Sequence, residues 1–414
     1  MKDKKIFYGW WIVIGTAIIL AMLGPAPVAL ANIFQTPITE EFNITNSQFA
    51  LSNSFLLGIG IFVSPFVTQK LASGNFKRNY IINLLIYTIA YMSYGFAENI
   101  YIYYALSVII GYGFIGTTIT PVSILINNWF IHKRGLALSL ALTGLGVGGV
   151  IFSQLVTFFI NTFGWRQAYI IFGALMLIIV LPVMWFIIKV KPEDIGLEPL
   201  GNERFNPSAE VNIIEQTQEV DVPKSNMLRK PFFYLLIGGA ALIGLVNNGG
   251  LAQFPPVLTE MHGPTIAATI ISVYSGVGIA GKLILGNISD RKGVVAGTLH
   301  AVTMLVLTYL SMLFSGNIVF AFVMAGFFGM GNAIGTLMPP LITSAIYSTE
   351  DFPIAYGYVQ SGMQLGMTIG SLFAAGIADL TGSYTYSWIT LMILAVFIGV
   401  LWVSAYKNAQ KYID

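Results

Sequence analysis

The chain has 414 residues, 56% hydrophobic and 9% charged, with a mean hydropathy of +0.77; an ordinary soluble domain carries roughly 25% charged residues, so a soluble globular protein is excluded. A net charge of +2 without an arginine-rich, aromatic-interleaved patch excludes nucleic acid as a partner, and the lack of cysteine excludes disulfides, thiolate metal sites and a cysteine nucleophile. Three dispersed histidines, His132, His262 and His300, point away from a metal site; no cofactor is expected, and no nucleophile, base and metal constellation suggests an enzyme.

A bilayer core of about 30 Å takes roughly 20 apolar residues in a helix. Such runs fall at 8–34, 47–69, 79–97, 101–128, 135–162, 166–188, 232–258, 266–288, 294–314, 318–347, 353–378 and 384–406. The first follows a basic tail (Lys2, Lys4, Lys5), as a signal peptide does, but outruns the roughly 7–15 residues of such a core and reads as a span. The fifth contains TGLGVGGV (143–150), a close-packing glycine face. One long polar stretch separates the sixth run from the seventh. The expectation is an all-α membrane protein of twelve transmembrane helices in two six-helix bundles, 1–188 and 232–414, joined by a cytoplasmic linker, 189–231.

Lys and Arg are retained on the cytoplasmic side of a membrane. With both termini inside, every basic residue falls in a cytoplasmic tail or loop except Arg166, on an outer loop, and Lys282, within the eighth run. Matching positions in the halves also echo each other: SPFVTQKLASGNFKR follows the second run and LGNISDRKG the eighth, FGWRQAY the fifth and LTGSYTYSW the eleventh. Repeated bundles of this kind belong to transporters.

GNISDRKG (286–293) resembles the loop signature of the major facilitator superfamily; Gln69 and Lys70 stand where the first half would carry its Asp-Arg pair. WFIHKRGLALSLALTG (129–144) is similar to the segment entering the fifth helix of monocarboxylate transporters, and YGWW (8–11) resembles the opening shared with oxalate:formate antiporters. The resemblance implies a multi-pass carrier of the cell membrane, working as a monomer, that moves a small monocarboxylate such as lactate, pyruvate or formate, with a proton. The alternatives are an organic anion exchanger of the oxalate:formate type or an exporter of amphipathic compounds. It also implies that the basic residue of the eighth helix, here Lys282, binds the substrate carboxylate. The family usually has Arg at this place, some proton-coupled members carry an Asp where Gly278 stands, and the antiporter's second lysine has no counterpart in YGYVQSGMQLG (356–366). A single core cation argues against a dianion, and lysine offers a point charge without the arginine fork.

The residues support the same position. Lys282 lies about 12 Å along the helix from Asp290, near the limit of a snorkelling side chain. Ser275, Gly278, Gly286 and Ser289 share its helical face, whereas Ile279, Leu283 and Ile284 form the lipid side. An intramembrane cation costs at least about 2.5–3.5 kcal/mol, and all acids lie in tails, loops or span ends. If Lys282 stays protonated the carrier exchanges anions; if the empty carrier loses the proton, each anion travels with one.

Secondary substrate-binding candidates are Asn247 and Asn248 in LVNNGGLAQFPP (245–256), Gln360 and Gln364 on one face of the eleventh run, Tyr274, and Tyr112 and Thr117 in the fourth. His300 is a second proton-coupling candidate besides Lys282. Asp290 and Arg291 read as a cytoplasmic gate or latch.

Overall fold

The computed structural model describes residues 7–27, 29–201 and 230–412. The basic tail 1–6 and most of the expected linker, 202–229, lie outside the described residues. The described chain is helical, with one isolated bridge between Phe130 and Leu200. In order, the helices are α1 (Gly9–Leu23), α2 (Ala31–Phe42), α3 (Asn46–Ser73), α4 (Phe76–Ser93), α5 (Ile100–Thr117), α6 (Ile119–Trp129), α7 (Arg134–Phe163), α8 (Trp165–Pro182), α9 (Pro231–His262), α10 (Pro264–Met312), α11 (Ile318–Asn332), α12 (Ile334–Ile346), α13 (Phe352–Thr381) and α14 (Tyr384–Gln410).

Each expected span has a helix or a pair of helices. Nine helices among the described residues are long and apolar enough to cross a membrane. Twelve spans follow once three features are resolved. The first span is broken into α1 and α2 at the GPAP turn, α4 is polar, and the eighth and ninth spans form one continuous α10 interrupted only at Gly293, whose φ of 82° suits glycine. The fourth span breaks at Thr118, between α5 and α6, and the tenth at Ala333, between α11 and α12. The expected end of the first span at residue 34 falls short, because α2 continues to Phe42.

By packing, the chain forms two compact units. One comprises residues 11–123 and 140–190, the other 1–10, 124–139 and 191–414. In the first, α7 crosses α1 at a separation that only glycine permits: a Cβ at Gly144 or Gly148 would overlap the carbonyl oxygen of Ala17 or Ala21. The second repeats this with α13 on α9, where Gly362, Gly366 and Gly370 lie against Ile237, Ala241 and Leu245. Aromatic side chains fill the remaining volume. Phe34 stacks on Tyr169 and Tyr94 on Tyr103, each at 3.8 Å, in the first unit; Phe254, Tyr309, Tyr384 and Trp388 cluster in the second.

α2 is tied to α8 beyond the expected end of the first span. Arg166 Nη2 donates to Glu41 Oε1 at 2.7 Å, Trp165 Nε1 donates to Oε2 at 2.5 Å, and the guanidinium lies 4.4 Å over the Trp165 ring. The Arg166 hydrogen bond holds the Glu41 carboxyl below the usual carboxylate range, against the opposing pull of burial.

Two outcomes follow. Gly148→Leu places a side chain on the Ala21 carbonyl and costs several times the roughly 1–3 kcal/mol of ordinary overpacking, so monodisperse protein is lost; Gly149→Leu, where nothing lies within 4 Å, leaves the size-exclusion profile intact. The folded Glu41 pKa lies below the unfolded value near ~4.3, so its contribution, about 1 kcal/mol or less for so exposed a pair, is present above that value and lost as pH falls through the folded one. Thermal melts across this acid window should show the slope, and Glu41→Gln should remove it.

Candidate functional site

α10 carries the residues that sequence singled out most strongly, and its glycines decide what each face meets. A Cβ on Gly281 would lie 2.5 Å from the Gly329 carbonyl oxygen, so that side of α10 packs on α11. One turn beyond Lys282, a Cβ on Gly286 would lie 2.5 Å from the carbonyl oxygen of Gly135 and 2.8 Å from Ser139 Oγ. The reciprocal holds, since a Cβ on Gly135 would lie 2.5 Å from the Gly286 carbonyl. The backbones of α10 and the first turn of α7 therefore touch at these two glycines.

Lys282 sits on this stripe, one turn from the crossing, and is half-buried. On its own face of α10, at spacings of four and seven, lie exposed Ser275, half-buried Gly278 and buried Gly286 and Ser289, all small or polar. Exposed Ile284 lies on the opposite side of the helix, in line with Gly276 and Ala280.

One turn beyond Gly286, Asp290 caps α7. Its Oδ1 accepts from the Gly135 amide at 2.7 Å and its Oδ2 from the Leu136 amide at 2.8 Å, two of the donors that a helix start leaves unpaired. Burial raises the Asp290 pKa, and the two amide donors and nearby Arg134 act against that rise. Arg134 donates to the carbonyls of Phe130 and Ser344, at 2.8 and 3.3 Å. Arg291 is exposed.

The other candidates divide by how far their polar atoms are already committed. Asn248 Nδ2 donates to the Met367 carbonyl at 2.6 Å, a tie between α9 and α13. Gln253 is committed at both ends, to Ser371 and to the Tyr384 hydroxyl. Thr117 donates to the Gly113 carbonyl at 2.8 Å within its own helix, Tyr112 is half-buried on α5, and Tyr274 packs edge-on against Phe328. Asn247 Oδ1, Gln360 Oε1 and His300 Nε2, by contrast, are buried with no hydrogen-bond partner among the described residues. Gln364 is 2% exposed.

Asn247 reaches α12, where a Cβ on Gly335 would lie 2.6 Å from its Nδ2. Thr336, next in sequence, has a buried hydroxyl without a partner among the described residues. Sequence reading passed over Thr336, although a Gly-Thr pair shortly before Pro339 and Pro340 marks a weakened stretch of helix. The arrangement can offer a cation on α10 and uncommitted amide and hydroxyl groups on α9, α12 and α13. No group of His, Cys, Asp and Glu able to hold a metal ion occurs among the described residues.

The family model of the Major Facilitator Superfamily matches residues 10–349. Human monocarboxylate transporter 12 is 21% identical over 423 aligned positions, covering 95% of this chain and 80% of that protein. The uncharacterized MFS-type transporter YhjX of Escherichia coli is 23% identical, covering 86% of this chain and 85% of its own. Among solved structures, the proton:xylose symporter XylE aligns over 98% of this chain and 96% of that one, with a TM-score of 0.72 at 13% identity, a likeness of fold.

Removing the α7 cap has a measurable cost. Asp290→Ala should lower stability by about 0.5–2 kcal/mol, the range of a lost helix cap, and Asp290→Asn, which keeps an acceptor, by less, both read as shifts in thermal melting.

Proposed function

The chain belongs to the Major Facilitator Superfamily, and we propose that it is a secondary transporter of small monocarboxylates of the lactate, pyruvate or formate type, moving each anion with one proton. Lys282 carries this reading: its ammonium stands one turn from the Gly135–Gly286 crossing, on a face of α10 continued by small and polar residues. Relatives named as monocarboxylate transporters support the substrate class.

A charge within the bilayer core is costly. Loading an anion beside the Lys282 ammonium lowers that cost, and releasing anion and proton together leaves a neutral amine, so the site changes state without carrying net charge in either direction. Asn247 and Gln360, with uncommitted oxygens and rotatable amides, are the hydrogen-bonding groups we assign to the substrate, with Gln364 one turn along α13 from Gln360. Asn248, Tyr274, Tyr112 and Thr117 shape the surrounding helices. His300 is the second proton-coupling position. The two six-helix bundles, 1–188 and 232–414, rock about the site in alternating access in the cell membrane, both termini cytoplasmic. Asp290 is the latch, released when α7 moves off α10, and Arg291 lies beside it at the cytoplasmic surface.

Uptake of labelled lactate, pyruvate, formate and oxalate into proteoliposomes tests this. A proton gradient should drive uptake of a monocarboxylate in the native protein, Lys282→Gln should abolish it, and Lys282→Arg should keep binding while losing the proton dependence, because arginine stays charged. Native-rate transport by Lys282→Gln would remove the site assignment; uptake driven by internal anion but never by pH would replace symport with exchange.

A further inference from the structure

The break in the first span lies over a small space in the first unit. Ala26 and Pro27 line it from the turn between α1 and α2, Asn53 from α3, Tyr91 from α4, and Tyr103 and Tyr169 from α5 and α8. Its free volume is about 10 Å³, the room that one water needs and too little for a larger guest.

Polar groups crowd this space, and their hydrogen bonds can be counted. Ser107 Oγ donates to the Tyr103 carbonyl at 2.8 Å, so Tyr94, whose hydroxyl lies 2.7 Å from that Oγ, must be the donor to it. Tyr94 is thereby served. The Tyr103 and Tyr169 hydroxyls lie 2.6 Å apart; one donates to the other, and the second proton of the pair is left over. Tyr91 Oη and Asn53 Oδ1 have no partner among the described residues. Tyr91 is fully buried, and its ring is held edge-on to Tyr169 at 5.0 Å, which fixes the hydroxyl in place. Two hydroxyl donors and one amide acceptor therefore stay open, a costly condition for buried groups and more so within a bilayer.

We infer that this space is a water-binding site. One water accepts from Tyr91 Oη and from the Tyr103–Tyr169 pair and donates to Asn53 Oδ1, the three hydrogen bonds that a buried water typically makes. An apolar occupant would leave all three groups unpaired. The water joins α3 to α4 and both to the hydroxyl pair of α5 and α8. The turn that interrupts the first span thus rests on a polar floor that four helices build together.

Melting of the full-length protein separates a hydrated site from a dry one by sign. With the water in place, Tyr91→Phe and Asn53→Leu each remove a hydrogen bond and should lower the melting temperature by about 2–4 °C. The double variant should lose less than the sum of the two, because both act on one water. In a dry space each substitution deletes an unpaired buried group, so the melting temperature would hold or rise. A density map of the native protein that resolves other buried waters should place one within about 3.2 Å of Tyr91 Oη and Asn53 Oδ1. No water in such a map, or a melting temperature of Tyr91→Phe that is unchanged or raised, would overturn the inference. Strictly additive losses would overturn the sharing of one water, and a melting temperature that depends on sodium at constant ionic strength would make the occupant a cation instead.

Discussion

Inside a bilayer no water is available to a peptide group, so each carbonyl and amide must find its partner within the chain. This constraint organises the whole molecule. A continuous helix meets it without help, yet the first and fourth spans are broken, and prolines sit within α2, α3, α9 and α12. The carbonyls that Pro27 and Pro121 leave open are taken by Tyr87 and Tyr80, both from α4. Three buried tyrosines, Tyr80, Tyr87 and Tyr91, and further polar side chains set α4 apart from a purely apolar span; Asn79, for example, donates to the Lys70 carbonyl at 2.6 Å. Its polarity is the counterpart of the freedom given to its neighbours.

The same constraint explains the glycines. Helices in lipid gain little from burying one apolar surface against another and rely on close contact instead. Gly144 and Gly148 let α7 rest directly on the α1 backbone, and Gly362, Gly366 and Gly370 do the same for α13 on α9. In both units, then, the first helix of the half is gripped along one side by a glycine face. On another side a buried tyrosine donates to one of its carbonyls, Tyr87 to Leu23 and Tyr309 to Val246.

Much of this architecture was legible in the chain. Apolar runs of the right length gave the spans, because length and hydrophobicity are local properties, and the glycine face of 143–150 was readable from its spacing. Its repeat, SGMQLGMTIG (361–370), has glycines at the same interval and passed unread because Gln and Met interrupt the pattern. The breaks at Thr118 and Ala333 were not legible, since each lies at a residue with no helix-breaking character of its own. In the candidate site, Lys282 stood out because a charge in an apolar run is conspicuous. The commitments of Asn248 and Gln253 did not, because their partners, Met367, Ser371 and Tyr384, lie more than a hundred residues away. The tyrosine ties were not legible either, because Tyr87 and Tyr309 reach the carbonyls of Leu23 and Val246 across 64 and 63 residues.

Spacing along α10 links the candidate binding charge to the candidate latch. Lys282, Gly286 and Asp290 follow one another at intervals of four, so they lie about 6 Å apart along one face of a single helix. The middle one is the contact: Gly286 touches Gly135, and nothing larger than glycine fits on either side. Below it Asp290 holds the amides of Gly135 and Leu136, which it can do only while the two backbones touch. Above it stands the ammonium. Any motion that opens the glycine contact must also strip both hydrogen bonds from Asp290, and any anion that draws Lys282 to a new position pulls on the helix that makes the contact. In the transport function proposed above, two turns of helix join the binding charge to the latch without a relay of side chains.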